Sequence, residues 1–407
     1  MSNRASTFRS SAAILGHGLF ARFMVAEFIS MVGSWMQTQA QQFEVEKRAG
    51  SSLEQALISA AMMAVIPLVS PLGGTLADRW DKRRILFAMI SIQALLAASA
   101  GWLVLGGALQ IWHLGVMALL VGITAGFEMP AYSALLPELV PKEKLSAAVA
   151  MDRSVFHAAR IIGPALAGML VASVGRAAAF FANAASYLGP LIVLCTIPRR
   201  KEGTAAEEAR RRSGGFAPGW NHVKADPPTR RMILMMAANC FFCSPFIIIL
   251  LTWYGERTLQ LGEMRMGWLM SLSGIGALSA SLILLGVHSA KRLAVLRAGA
   301  AISAAGMLGL AAAQGFWSAA VCVSALTFGL NFIFGIANQI VQERAPDEIR
   351  GRVSSVAAMS FVAIIPFSGI LTAALETWAG MRPALVICGA AYFLVAAFIL
   401  RRDDLQR

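Results

Sequence analysis

Twelve stretches of about 20 predominantly apolar residues, each long enough to cross a bilayer as a helix, decide what this chain can become. They run approximately over 19–41, 54–76, 85–105, 112–135, 146–174 and 177–197, then over 230–254, 265–287, 294–313, 316–342, 352–376 and 383–400. Of the 407 residues, 57% are hydrophobic and only 14% charged, more apolar surface than a soluble fold of this length hides. The expected fold class is therefore an all-α membrane protein of twelve transmembrane helices. A net charge of +13 would suit nucleic acid. The basic residues fall in short clusters between apolar spans rather than on one face, so no nucleic-acid partner is expected and the bilayer is the predicted surroundings.

Those basic clusters also set orientation, because Lys and Arg are retained on the cytoplasmic side. With both termini cytoplasmic, roughly 27 of the 35 Lys and Arg fall inside and about six outside (Lys47, Arg48, Arg176, Arg257, Arg265, Arg382), with Arg153 and Arg160 inside a span. The N-terminus is basic and Ser-rich with no small-residue cleavage site, which reads as a retained first span. The five cysteines lie in or beside apolar segments and predict no disulfide framework; Cys240-x-x-Cys243, with no second pair, reads as packing.

The chain repeats itself. Glu138-x-x-Pro141-x-Glu143 after the fourth span recurs as Glu343-x-x-Pro346-x-Glu348 after the tenth, and Trp112 recurs as Trp317, all at one common offset. The repeat predicts two pseudo-symmetric six-helix bundles, over 1–197 and 230–407, with the polar stretch 198–229 as a cytoplasmic linker. Arg199, Arg200, Lys201 and Arg210 to Arg212 give that linker its charge.

The most charged turn between spans is GGTLADRWDKRRIL, Gly73 to Leu86. Gly73 and Gly74 suit close helix approach. Asp78 suits acceptance from helix N-terminal amides and pairing with an Arg. Gly74-x-Leu76-Ala77-Asp78-Arg79-x-x-Lys82-Arg83 resembles the signature of the major facilitator superfamily between spans two and three, with Asp81 where a Gly is usual. The chain is similar to that superfamily throughout. GSWMQTQAQ (Gly33 to Gln41), MPAYSALLPELVP (Met129 to Pro141) and ARIIGPALAG (Ala159 to Gly168) resemble its enterobactin-exporter and macrolide-efflux branch.

The resemblance implies efflux of drug- or siderophore-like molecules powered by proton exchange, from a bacterial inner membrane. It also implies that Asp78 helps latch the halves on the cytoplasmic side, with Gly74, Arg79, Lys82 and Arg83 completing the motif. The alternative is that Arg79 to Arg84 serve only to retain the loop inside. The corresponding loop in the second half, Gly286 to Arg292, lacks the acid. Arg160, Gly163, Pro164 and Gly168 resemble the Gly-Pro packing motif of span five in superfamily exporters, with Ala167 replacing one of the usual glycines, and favour export over uptake.

Polar residues inside spans recur at helical spacing. Glu27, Ser30, Ser34, Gln37 and Gln41 share a face of span one; Ser324, Thr327, Asn331, Gly335, Asn338 and Gln342 share one of span ten. Ser34, Gln37, Gln41, Asn331, Asn338 and Gln342 are the candidate cavity lining, with hydrogen bonding between helices as the other reading.

Intramembrane charges are costly and hence functional candidates. Glu128 and Arg153 each lie about 12 Å from the loop near Pro141, and Glu27 enters to about 10 Å, so the three are expected to cluster. Glu27, Glu128 and Arg153 are the proton-coupling candidates; the competing reading is a permanent Glu128–Arg153 structural pair. His157 is expected to be a hydrogen-bonded core residue, and Asp152 to project away from the cluster.

No nucleophile, base and orienting group converge, so no enzyme, cofactor or metal is expected. The expectation is a secondary active exporter of small amphipathic molecules acting as a monomer by proton antiport and alternating access. A proton-coupled uptake symporter and a non-transporting membrane sensor or scaffold are the alternatives.

Overall fold

A computed structural model describes residues 18–198, 217–284, 286–287, 291–346 and 348–401. The first 17 residues, the charged part of the linker (199–216) and His288 to Ala290 of the second-half loop lie outside the described residues. Within them the chain is helical, with no β-strand, and eleven stretches are long and apolar enough to span a membrane.

The chain divides into two compact units, one comprising 1–48 and 65–202, the other 49–64 and 203–407. The first contains α1 (Gly18–Arg48), α3 (Lys82–Leu105), α4 (Ile111–Leu135), α5 (Leu145–Val174), α6 (Arg176–Ser186) and α7 (Leu188–Thr196). Helix α2 (Ser52–Arg79) belongs to the first unit from Val65 onward and to the second before it; Pro67 and Pro71 follow that division within the helix.

Lipid tails are as apolar as leucine, so these helices associate through close packing and hydrogen bonds rather than through hydrophobic burial. Small residues permit it. A Cβ on Gly163 of α5 would stand 2.5 Å from Trp35 Cβ and 2.9 Å from the Val32 carbonyl of α1. One on Gly33 would stand 2.3 Å from Ser186 Oγ. Phe20, Phe23, Leu86, Ile90, Leu135 and Leu194 form a buried cluster in the same unit.

The second unit is built from α8 (Ala217–Ala225), α9 (Pro227–Phe242), α10 (Ser244–Ile248), α11 (Leu251–Trp253), α12 (Gly262–Leu284), α13 (Arg292–Ala312), α14 (Phe316–Arg344), α15 (Arg350–Val362), α16 (Ile364–Ala379) and α17 (Met381–Ile399). Its centre is α14, packed on α12 and α13. A Cβ on Gly329 would meet the Gly299 carbonyl at 2.4 Å.

The expected seventh span, 230–254, is not one helix. Helix α9 stops at Phe242, α10 and α11 are five and three residues long, and a π-helical turn, Tyr254–Thr258, follows. Pro245 has no N–H to continue the ladder. Beyond the break its carbonyl accepts from both Ile249 N, at 3.0 Å, and Leu250 N, at 2.9 Å. The first turn of α2 packs within this unit: Ser52 donates to Glu376, Gln55 Nε2 donates to the Ile249 carbonyl at 2.6 Å, and Trp253 Nε1 donates to Glu376 Oε1 at 3.2 Å.

Asp226 caps α9, accepting from Thr229 N at 3.1 Å and from Arg344 Nη2 and Nε at 2.6 and 2.8 Å. The Arg344 guanidinium holds the Asp226 carboxyl well below the usual carboxylate range. A carboxyl lowered in the folded state stabilises above its unfolded pKa and loses that contribution as pH falls through the folded value. Asp226→Asn is therefore expected to lower the melting temperature in detergent at pH 7. The gap to wild type should narrow as pH falls below about 4; a gap constant down to strong acid would exclude the ion pair as its source.

Candidate functional site

Polar side chains of the first unit converge between α1, α3, α4, α5 and the α6–α7 junction. On α1, Gln37 Oε1 accepts from Asn183 Nδ2 at 2.7 Å, and Ser34 Oγ lies 3.2 Å from the Tyr187 hydroxyl. Tyr187 donates to Gln93 Oε1 at 3.0 Å. Gln93 Nε2 in turn donates to Glu128 Oε2 at 2.5 Å and to Thr124 Oγ1 at 3.2 Å. Tyr132 donates to Asp152 Oδ1 at 2.6 Å. Glu128 and Asp152 both lie within Coulomb range of Glu27, and Tyr132 faces all three acids. Three carboxyl groups, one each from α1, α4 and α5, thus share one half-buried polar region.

Two expectations change here. The Glu128–Arg153 pair does not form among the described residues: Arg153 is exposed, and Gln93 holds Glu128. Adjacent helix residues point about 100° apart, and the phase of α5 turns Asp152, not Arg153, toward the acids. Gln93, Tyr132, Tyr187 and Asn183 were not anticipated. Gln93 is isolated in an apolar run, whereas Tyr132 stands four residues after Glu128 and Tyr187 four after Asn183, a helical spacing that marks a face.

Further along α5, the Arg160 guanidinium lies over the Trp35 ring, 5.8 Å from its centroid. Phe156 packs edge-on against Trp35, at 5.9 Å, and against His157, at 5.6 Å. Gly163, Pro164 and Gly168 are buried one to two turns beyond, where α5 meets α1.

At the charged turn, Asp81 caps α3. Asp81 accepts from Arg83 N at 3.0 Å and pairs with Arg83 Nη2 at 2.8 Å. The Arg83 guanidinium holds the Asp81 carboxyl below its usual value. Lys82 pairs with Glu138 at 3.0 Å, and Arg83 also donates to the Ile197 carbonyl, tying the start of α3 to the ends of α4 and α7. Asp78 and Arg79 are exposed.

The second unit repeats one of these contacts. Arg292, at the start of α13, pairs with Glu343, near the end of α14, at 2.5 and 2.8 Å. Glu138 and Glu343 are the first acids of the internal repeat, so each unit joins its repeat acid to a cation at a helix start, that of α3 or of α13.

The α14 stripe divides. Ser324 Oγ and Thr327 Oγ1 donate to the Leu272 and Ser273 carbonyls of α12, at 3.1 and 2.7 Å, which is hydrogen bonding between helices. Asn331 donates to the Thr327 carbonyl of its own helix at 2.9 Å. Gln41 and Asn338 are half-buried, and Gln342 is exposed. Cys240, Cys243 and Cys388 are buried thiols, and all five cysteines are free.

Comparison with known proteins places this arrangement. The family described as transmembrane secretion effector matches residues 9–406. Macrolide efflux protein A of Streptococcus pyogenes is 23% identical over 93% of this chain and 94% of its own length. The staphyloferrin A transporter of Staphylococcus aureus is 28% identical over 43% of this chain and 44% of its own. Among solved structures, a bacterial homolog of the human lysosomal transporter Spinster, inward-facing and unoccupied, superposes with a TM-score of 0.77 at 12% identity, covering 94% of this chain and 95% of that one.

The two glycines of the charged turn separate cleanly. A Cβ on Gly73 would stand 2.4 Å from the Gly126 carbonyl, whereas one on Gly74 meets nothing within 4 Å. Gly73→Ala is expected to cost about 1–3 kcal/mol through forced backbone displacement. Gly74→Ala should be neutral or stabilising by up to about 1 kcal/mol, since alanine favours the helix. Melting of the two variants in detergent checks the difference; equal losses would refute the close approach at Gly73.

Proposed function

The chain belongs to the transmembrane secretion effector family of the major facilitator superfamily, and from that premise we propose that it exports small amphipathic, drug- or siderophore-like molecules in exchange for protons. It is a membrane transporter rather than an enzyme. Export is the activity named for macrolide efflux protein A, and the staphyloferrin A transporter brings a siderophore into the range of related cargo. On this reading the protein is a monomer in a bacterial inner membrane with both termini cytoplasmic. Twelve spans form two six-helix bundles, 1–197 and 230–407, joined by 198–229, that alternate access to a central path. The interrupted stretch α9 to α11 supplies the twelfth span. The matched pairs Lys82–Glu138 and Arg292–Glu343 support the two-fold plan.

The observation that carries the proton role is the group Glu27, Glu128 and Asp152. None of the three is ion-paired among the described residues, and they come from three different helices of one unit. A carboxyl so placed exchanges its proton in response to burial and to neighbouring charge, both of which a substrate or a change of access alters. Asp78 and its motif partners Gly74, Arg79, Lys82 and Arg83 act as the cytoplasmic latch. Ser34, Gln37, Gln41, Asn331, Asn338 and Gln342 line the path, and Arg160 with Gly163, Pro164 and Gly168 seals its outer half.

The test is accumulation of a panel of drugs and siderophores in a deletion strain. The intact gene is expected to restore low accumulation of at least one compound, and Asp78→Asn to restore much less. With that compound in inverted vesicles, Glu128→Gln or Glu27→Gln should reduce ΔpH-driven transport by about tenfold or more if the carboxyl carries the proton. Undiminished coupling in both variants removes these residues from the proton role, and gene-dependent accumulation instead of loss reverses the direction.

A further inference from the structure

We infer that Gln93 is a positioning residue for Glu128, and that its orientation is fixed by Tyr187 and Ser34. The inference rests on the reading of Glu128 as a proton-exchanging group. A primary amide has an accepting end and a donating end, and which end faces a carboxyl decides what that carboxyl can do. Here an ionised Glu128 can only accept, which calls the N–H end of the amide to it and leaves the carbonyl end to Tyr187. Thr124 commits its hydroxyl proton to the Val121 carbonyl at 2.9 Å, so toward Gln93 it can only accept. Tyr187 commits its single proton to Gln93 Oε1, so Ser34 is the donor in the Ser34–Tyr187 contact. The chain of bonds therefore runs one way, from Ser34 through Tyr187 and Gln93 to Glu128.

Both amide hydrogens of Gln93 are then used, one on Thr124 and one on Glu128 Oε2. Turning the amide over would set its carbonyl oxygen against Glu128, a repulsive contact whenever that carboxyl is ionised, in a site where Gln93 and Thr124 are buried. Gln93 presents an N–H to Oε2, and because an oxygen that accepts such a bond is the poorer base, the exchangeable proton of Glu128 favours Oε1. The titratable groups around this carboxyl are Glu27 from α1, Tyr132 from α4, Asp152 from α5 and Tyr187 from the α6–α7 junction; α3 contributes only the uncharged Gln93. The amide steers the proton without adding a charge of its own.

The test needs no transported compound, because the proton is the probe. Purified protein in phosphatidylethanolamine and phosphatidylglycerol vesicles is titrated while infrared difference spectra record protonated carboxyl C=O bands. One band should vanish in Glu128→Gln. That band should move to higher frequency in Gln93→Ala, where the carbonyl loses its N–H donor. It should move the same way, and less, in Tyr187→Phe, where the amide is freed to turn. Tyr187→Phe removes one hydroxyl and no volume, so it keeps the question open to measurement if Gln93→Ala does not fold. A Glu128 band unmoved in Gln93→Ala and Tyr187→Phe overturns the positioning role and leaves the proton reading standing. Absence of any Glu128-dependent band through the titration overturns both.

Discussion

Every polar group that enters a bilayer must be satisfied within the protein, and most of this structure follows from that constraint. It makes the spans helical, and it denies them the hydrophobic driving force that assembles soluble bundles. What remains is contact distance. At Gly33, Gly163 and Gly329 the neighbouring helix comes within 2.6 Å of where a side chain would begin. The same constraint governs the polar side chains. Ser324 and Thr327 bond to backbone carbonyls of α12, and Asn239 bonds to the Leu330 carbonyl at 2.9 Å while accepting from Tyr392. In the second unit polar residues act as joints between helices. In the first they are gathered into a connected network that ends on carboxyl groups.

The ends of the spans obey different physics, since water is present and charge is cheap there. Lys82–Glu138 and Arg292–Glu343 join equivalent places in the two units, yet the first uses an ammonium and the second a two-pronged guanidinium. A guanidinium fixes both distance and plane, whereas an ammonium is a point charge that tolerates rotation. The exposed parts of such pairs contribute little stability each. Their value is in registering α3 against the end of α4, and α13 against the end of α14.

Spans were legible in the sequence because length and hydropathy are direct consequences of bilayer thickness, and the first acid of the sequence repeat meets a cation in both units, Lys82 for Glu138 and Arg292 for Glu343. The seventh span misled for a local reason: its hydropathy is continuous, but Pro245 removes the donor that continuity needs. At the site, hydropathy and spacing reach Glu27 and Glu128 but not the phase of α5, where one residue separates Asp152 from Arg153 and a rotation of about 100° reverses which is inside. Asp81 is a related case: only backbone geometry, extended at φ −63° and ψ 111°, shows that it reaches the amide of Arg83. Gln93 carries no pattern at all, because it makes its contacts across helices rather than along one.

The two units therefore differ in chemistry more than in plan. The first sets three acids and two tyrosines among its spans, with Arg160 held away on the face of Trp35. The aromatic face lets a guanidinium stay within the membrane without an acid partner, which leaves Glu27, Glu128 and Asp152 unpaired. Had Arg153 or Arg160 faced inward, one of the acids would have become half of a fixed ion pair, and a buried pair resists exchange because separating it strands a charge. Amide and phenol partners hold a carboxyl in place without neutralising it. On the proposed function, the choice of Gln93 and Tyr132 as partners, rather than arginine, is what keeps the first unit able to load and release a proton.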